Sequence, residues 1–275
     1  MAMAVDSEPG RNGIELAGKV AVVTGAGSGI GRALAVRFAA EGARAVVCAD
    51  RHGGNAEETA VMIGGVASSA ALDVADERAV ERLVTETLAA HGAIDVFVSN
   101  AGYGLAGGLE LPTEEWERMM AVHTWSHLFA ARAVVPGMVE RGGGYLLNTA
   151  SAAGLLTQMD SGPYAVSKHA AVAFAEWLLI NHGDDGIGVS VLCPQAVRTN
   201  ILGPRMAKEG GRQAAGDGVL EPAVVAEACV AAMRDGRFLV LPHPEVATYF
   251  NRKASDYDRW LAGMRRFRRR LRGAA

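Results

Sequence analysis

Tyr164 and Lys168 lie four residues apart in "PYAVSKHAAVAFAEWLLI" (163–180), an otherwise small and apolar stretch. That spacing puts both side chains on one helical face, so a phenol and an ammonium share one site. A free phenol, with a pKa of about 10, is a poor base at neutral pH, and a nearby positive charge makes its phenolate accessible for proton exchange. A second chemical signal is "TGAGSGIG" (24–31), where Gly25, Gly29 and Gly31 directly follow an apolar run. Glycines there let the backbone approach a pyrophosphate, whose charge is met by free N–H groups and the positive end of a helix dipole. Asp50 stands nineteen residues past Gly31, at the end of the next apolar run. A carboxylate in that place accepts hydrogen bonds from ribose hydroxyls and repels a 2′-phosphate, so NAD is the expected cofactor. Arg51 beside it could welcome that phosphate, which leaves NADP as the alternative.

These residues need a scaffold, and the chain supplies one by alternation. "KVAVVT" (19–24), "RAVVCA" (44–49), "IDVFVS" (94–99), "GYLLNTA" (144–150), "IGVSVLC" (187–193) and "RFLVL" (237–241) read as strands, with a weaker one at 66–72. Amphipathic stretches lie between them, such as "DERAVERLVTETLAAHG", which opens at the N-cap candidate Asp76 and ends at Gly92. Near-continuous apolar strands joined by helices predict an α/β protein: a single-domain, Rossmann-type, doubly wound parallel sheet of about seven strands with helices on both faces. Ligands of such sheets sit at the carboxyl ends of the strands.

The chain has 275 residues, 50% hydrophobic content and a formal net charge of -3, which fits one large domain and points to neither nucleic acid nor lipid. Cys48, Cys193 and Cys229 are too few and scattered for a disulfide framework or a zinc site, and the histidines have no metal-ligand spacing, so no metal is expected. Charges at Asp6 and Glu8 break any signal-peptide core, and no apolar run is long enough for a membrane span, so a cytoplasmic protein is expected. Residues 1–16 are expected to be a flexible leader and 17–263 the Rossmann domain. Within it, the polar, glycine-rich 199–220 is read as a lid loop over the site, a plain solvated connection being the alternative. Residues 264–275, with "RRFRRRLR", are read as a basic solvated tail, an anionic surface being the alternative partner.

The glycine spacing G-x-x-x-G-x-G together with "YAVSK" resembles the short-chain dehydrogenase/reductase family, from about Lys19 to about Leu241. "TGAGSGIG" is similar to the family's cofactor turn, bringing Ser28 and Ile30 into the set. "LDVAD", with Asp73 and Val74, resembles the segment at the adenine ring. "SNAG" supplies Asn100, Ala101 and Gly102, with Ser99 where the family has Asn. "CPQAVRT" resembles P-G-x-V-x-T and brings Pro194, Val197 and Thr199, with Gln195 in place of Gly. Ser151, thirteen residues before Tyr164, stands at the spacing of the family's catalytic serine. The resemblance implies that Tyr164 exchanges a proton with the substrate oxygen, that Ser151 holds that oxygen, and that Lys168 both stabilises the phenolate and bonds the nicotinamide ribose. His123 occupies the position of a family Asn that helps hold a water on the proton path. An imidazole could hold a water or could simply fill the space.

The expected substrate is a small-molecule secondary alcohol or ketone, apolar or weakly polar, walled by Leu105, Leu155, Leu156, Met159, Gln195, Ile201, Leu202 and Met206. The 163–180 helix is apolar on most faces, which suits a homodimer or homotetramer contact, as the family implies, or burial beneath the same chain. The leading reading is an NAD-dependent alcohol/ketone oxidoreductase; an NADPH-dependent ketone reductase and a noncatalytic dinucleotide-binding regulator are its rivals.

Overall fold

Strand β1 (Val20–Thr24) is buried at every position, which requires helices over both faces. The computed structural model, which describes residues 12–201 and 209–273, supplies them. After β1 come α1 (Gly29–Ala40), β2 (Ala45–Asp50), α2 (Gly53–Ile63), β3 (Ala67–Ala71), α3 (Glu77–His91), β4 (Val96–Ser99) and α4 (Thr113–Met120). A π-helical turn (Ala121–Trp125) joins α4 to α5 (Ser126–Glu140), followed by β5 (Gly144–Thr149), α6 (Ala153–Leu156), α7 (Gly162–His182) and β6 (Ile187–Leu192). The chain continues through α8 (Glu209–Ala214), α9 (Pro222–Arg234), β7 (Leu239–Val240), α10 (Glu245–Ser255) and α11 (Tyr257–Leu271).

The seven parallel strands lie in the order β3-β2-β1-β4-β5-β6-β7. The chain winds outward in one direction from β1 and in the other from β4, so a crevice opens between their carboxyl ends. Apolar side chains from α3, α5 and α7 fill one face, and those from α1 and α9 the other. Local chemistry sets the ends of the helices. Asp76 accepts from the N–H groups of Arg78 and Ala79 to open α3, and Gly92, left-handed at φ 73°, closes it. Ser161 accepts from Tyr164 N–H, which with Pro163 starts α7 one turn before the tyrosine.

Two expectations about the domain's ends need correction. Residues 12–16 are not a loose leader: Asn12 donates to the carbonyls of Gly183 and Ile187, and Leu16 is buried. The boundary after 263 falls inside α11, so the basic run is helical rather than a tail. Within the expected lid loop 199–220, Glu209–Ala214 form α8, whose Gln213 donates to Thr157 O and accepts from Met159 N–H, so this part is helical and fastened. Leu202 and Met206 lie outside the described residues. None of the described helices is long and apolar enough to cross a membrane.

Candidate active site

A cleft of about 1030 Å³ opens at the carboxyl ends of the strands. At one end of it the glycine turn lies flush against the next loop. A side chain at Gly25 (φ +66°) would come within 2.8 Å of Ala101 Cα. One at Gly31 would meet the Gly25 carbonyl at 2.1 Å, so Gly31 packs the turn and does not itself face the cleft. Gly25, Ser28, Gly29 and Ile30 do face it. Ser28 makes no side-chain cap, which leaves the first-turn N–H groups of α1 without that partner. Asp50 is held by the N–H groups of Gly27 at 3.0 Å and His52 at 2.9 Å, with exposed Arg51 beside it. Asn100 is clamped to Thr24, donating to its carbonyl and receiving Thr149's hydroxyl proton, which orders Ala101 and Gly102 along the wall. Asp73 and Val74 line the same end. Partial burial works against the Asp73 carboxylate, but the Ala75 N–H and two bonds from Arg118 outweigh it and leave the pKa below the usual range.

A bare backbone cradle, uncapped N–H groups and a fixed carboxylate suit a dinucleotide. Pyrophosphate would meet the amides, and the ribose hydroxyls would meet Asp50. Pro194, Val197 and Thr199 also line the cleft, and Thr199 lies against Gly29 of the turn, so a bound dinucleotide would pass beside them.

Ser151, Tyr164 and Lys168 all line the same cleft. Lys168 is buried, donates to Thr149 O at 2.8 Å, and lies 5.8 Å from the Tyr164 ring centroid. Ser151 Oγ accepts from Ala153 N–H at 3.1 Å. Burial pulls the Lys168 pKa down to about 8, which places the ammonium near its titration point at working pH. The protein bears the full cost of that buried charge below pH 8, and the cost fades as pH rises from 8 toward the unfolded value of 10.5. Lys168→Met is therefore expected to raise Tm by about 3–6 °C at pH 7, net of the lost Thr149 bond, and to lose the advantage near pH 10. Calorimetry at both pH values checks this; a lower Tm at pH 7 would refute it.

His123 sits in the π-helical turn, fully buried. Its Nε2 accepts from Tyr103 N–H at 3.1 Å, so the ring proton resides on Nδ1 and points at Ser167 Oγ, also at 3.1 Å. Ser167 Oγ bonds in turn to the Tyr164 carbonyl, and the two rings meet edge to face at 5.4 Å. Burial, then the Lys168 charge, pushes the His123 pKa well below the usual imidazole range. Both nitrogens are engaged by the protein, so neither offers a lone pair to a water; the ring instead ties the loop after β4 to α7.

Of the expected substrate residues, Leu156, Gln195 and Ile201 line the cleft. Leu105, Leu155 and Met159 do not: Leu155 is buried in the core with its carbonyl held by Lys253, and Met159 is pinned through its N–H. The apolar wall comes instead from Tyr249 on α10 and from Trp260, Met264 and Phe267 on α11. Their spacing in the sequence, four then three, was the available signal.

With this geometry in place, comparison with known proteins defines the class. The family model described as short chain dehydrogenase matches residues 19–210, and the chain belongs to that family of oxidoreductases with a dinucleotide-binding Rossmann fold. The probable oxidoreductase EphD of Mycobacterium tuberculosis is 39% identical over 185 residues, which are 66% of this chain and 31% of that protein. The chain thus spans less than a third of that relative's length. The 1-deoxy-11-beta-hydroxypentalenate dehydrogenase of Streptomyces exfoliatus is 37% identical over 234 residues, 82% of this chain and 84% of its own. Among solved structures, a short chain dehydrogenase/reductase from Burkholderia phymatum in complex with NAD superposes with a TM-score of 0.81 at 30% identity, covering 89% of this chain and 96% of that one.

Proposed function

We propose that this chain is an NAD-dependent oxidoreductase interconverting an apolar secondary alcohol and its ketone. The observation that carries the reading is one cleft that holds the Asp50-terminated glycine turn and the Ser151, Tyr164 and Lys168 set together. Bound there, the nicotinamide supplies or accepts the hydride. Tyr164, as a phenolate that Lys168 stabilises, takes the hydroxyl proton in oxidation, and as the phenol gives it back to the substrate oxygen in reduction. Ser151 donates a hydrogen bond to the substrate oxygen and fixes it against the phenol. The relatives' names, a pentalenate dehydrogenase and a meso-2,3-butanediol dehydrogenase among them, support alcohol oxidation. Tyr249, Trp260, Met264 and Phe267 favour a substrate with an apolar body. Turnover read at 340 nm with NAD and a panel of apolar secondary alcohols tests the proposal, and activity confined to sugars or thioesters would sink it.

NAD is preferred because a 2′-phosphate would have to approach the fixed Asp50 carboxylate. Asp50→Ser is expected to shift the kcat/KM ratio of NAD over NADP by about 10- to 100-fold toward NADP, with Arg51 then free to pair the phosphate. An unchanged ratio would move the discrimination elsewhere. Exposed Trp125, Val166, Trp177 and Ile180 near or on α7 support a homodimer or homotetramer through that face. Light scattering should give a multimer that Trp177→Glu dissociates; a wild-type monomer would exclude it.

A further inference from the structure

Helix α11 divides its surface by chemistry. Trp260, Met264, Phe267 and Leu271 form one narrow stripe, and the first three of these line the cleft. The other faces carry Arg259, Arg265, Arg266, Arg268, Arg269 and Arg270, with Arg272 just beyond the helix end. Seven arginines against Asp258 alone give 257–272 a net charge of +6, in a chain whose formal net charge is -3. Among the described residues, Arg259, Arg265, Arg266 and Arg269 make no ion pair, and Arg270 only lies over the Phe267 ring. On the same helix, Tyr257 is 55% and Leu261 49% exposed.

We propose that α11 docks the protein on an anionic phospholipid bilayer through its arginine-bearing faces. Four to eight basic residues on an amphipathic helix match the negative potential of such a surface, each adding about fivefold in affinity. Guanidinium groups pair with lipid phosphates, while Tyr257 and Leu261 reach the acyl boundary. A nucleic-acid duplex offers the same phosphates but no apolar phase for those two side chains, which is why lipid is the favoured occupant. Docking does not depend on the activity proposed above. Its use does, since a cleft walled by Trp260, Met264 and Phe267 would then draw apolar alcohols directly from the bilayer.

The test is co-sedimentation of the full chain with vesicles of phosphatidylcholine alone and of phosphatidylcholine with phosphatidylglycerol in equal parts. Binding is expected only to the anionic vesicles, released by about 0.5 M salt. The quadruple variant Arg265→Gln, Arg266→Gln, Arg269→Gln, Arg270→Gln should lose at least 100-fold in vesicle affinity with circular dichroism and Tm unchanged. Leu261→Glu should weaken binding with every arginine in place. Equal binding to neutral vesicles, no binding to either, or tighter binding to duplex DNA or RNA would overturn the proposal. Sedimentation is read without turnover, so a failed alcohol panel leaves this result standing, and the reverse holds too.

Discussion

Tyr164→Phe is expected to lower kcat by about 10²- to 10⁴-fold while leaving NADH binding within about twofold of wild type. Phenylalanine keeps the ring that meets His123 edge to face at 5.4 Å, so the change removes a hydroxyl from an otherwise filled position. What it deletes is the group proposed to exchange the substrate proton; the glycine turn and Asp50 lie outside the change. Steady-state turnover at 340 nm and NADH fluorescence separate the two readouts. A variant within tenfold of the wild-type rate would show that another group moves the proton, and parallel loss of NADH binding would point to a collapsed site instead.

The second large effect belongs to a methyl group. Gly31→Ala would place a Cβ 2.1 Å from the Gly25 carbonyl oxygen and 2.6 Å from Asn100 Nδ2. Neither neighbour can retreat cheaply, because one is the backbone of the cofactor turn and the other clamps the β4 loop through Thr24. Overpacking against backbone costs on the order of 3 kcal/mol, which in a chain this size lowers Tm by about 6–12 °C. NADH affinity should fall at least 100-fold, because the turn must open to admit the methyl. Gly54→Ala is the internal control: a Cβ there meets nothing within 4 Å, and a helical Gly→Ala exchange should leave Tm equal or slightly higher. Differential scanning fluorimetry on both variants decides it, and equal melting points would show that the turn adapts.

The sheet and the centre of the site were legible because each rests on a local signal. Buried parallel strands show as unbroken apolar runs, and the glycines, Asp50, Ser151, Tyr164 and Lys168 carry their meaning in spacing. The substrate wall was not legible in the same way. Leu155 lies four residues from Ser151, yet α6 turns it into the core, and sequence proximity says nothing about which side of a short helix faces a cleft. In α11 the stripe of Trp260, Met264, Phe267 and Leu271 stands among six arginines, so composition argued for a solvated tail and the helical spacing of the apolar residues went unread. His123 was legible as a departure but not in its effect, because its two hydrogen bonds reach Tyr103 and Ser167, 20 and 44 residues away.

Everything that would grip a dinucleotide or move a proton lies between β1 and Thr199, whereas Tyr249, Trp260, Met264 and Phe267 come from the last two helices, past the residues that the family model matches. That division separates two degrees of structural tolerance. Changes in the first part are constrained by geometry measured in tenths of an ångström, as the glycine contacts show. Changes at 260, 264 and 267 alter the shape offered to a substrate on a helix that packs mainly against α10 and α8 and buries no residue fully. Substitutions at 260, 264 and 267 would therefore reshape the outer wall of the cleft while leaving the glycine turn and the Ser151, Tyr164 and Lys168 set untouched.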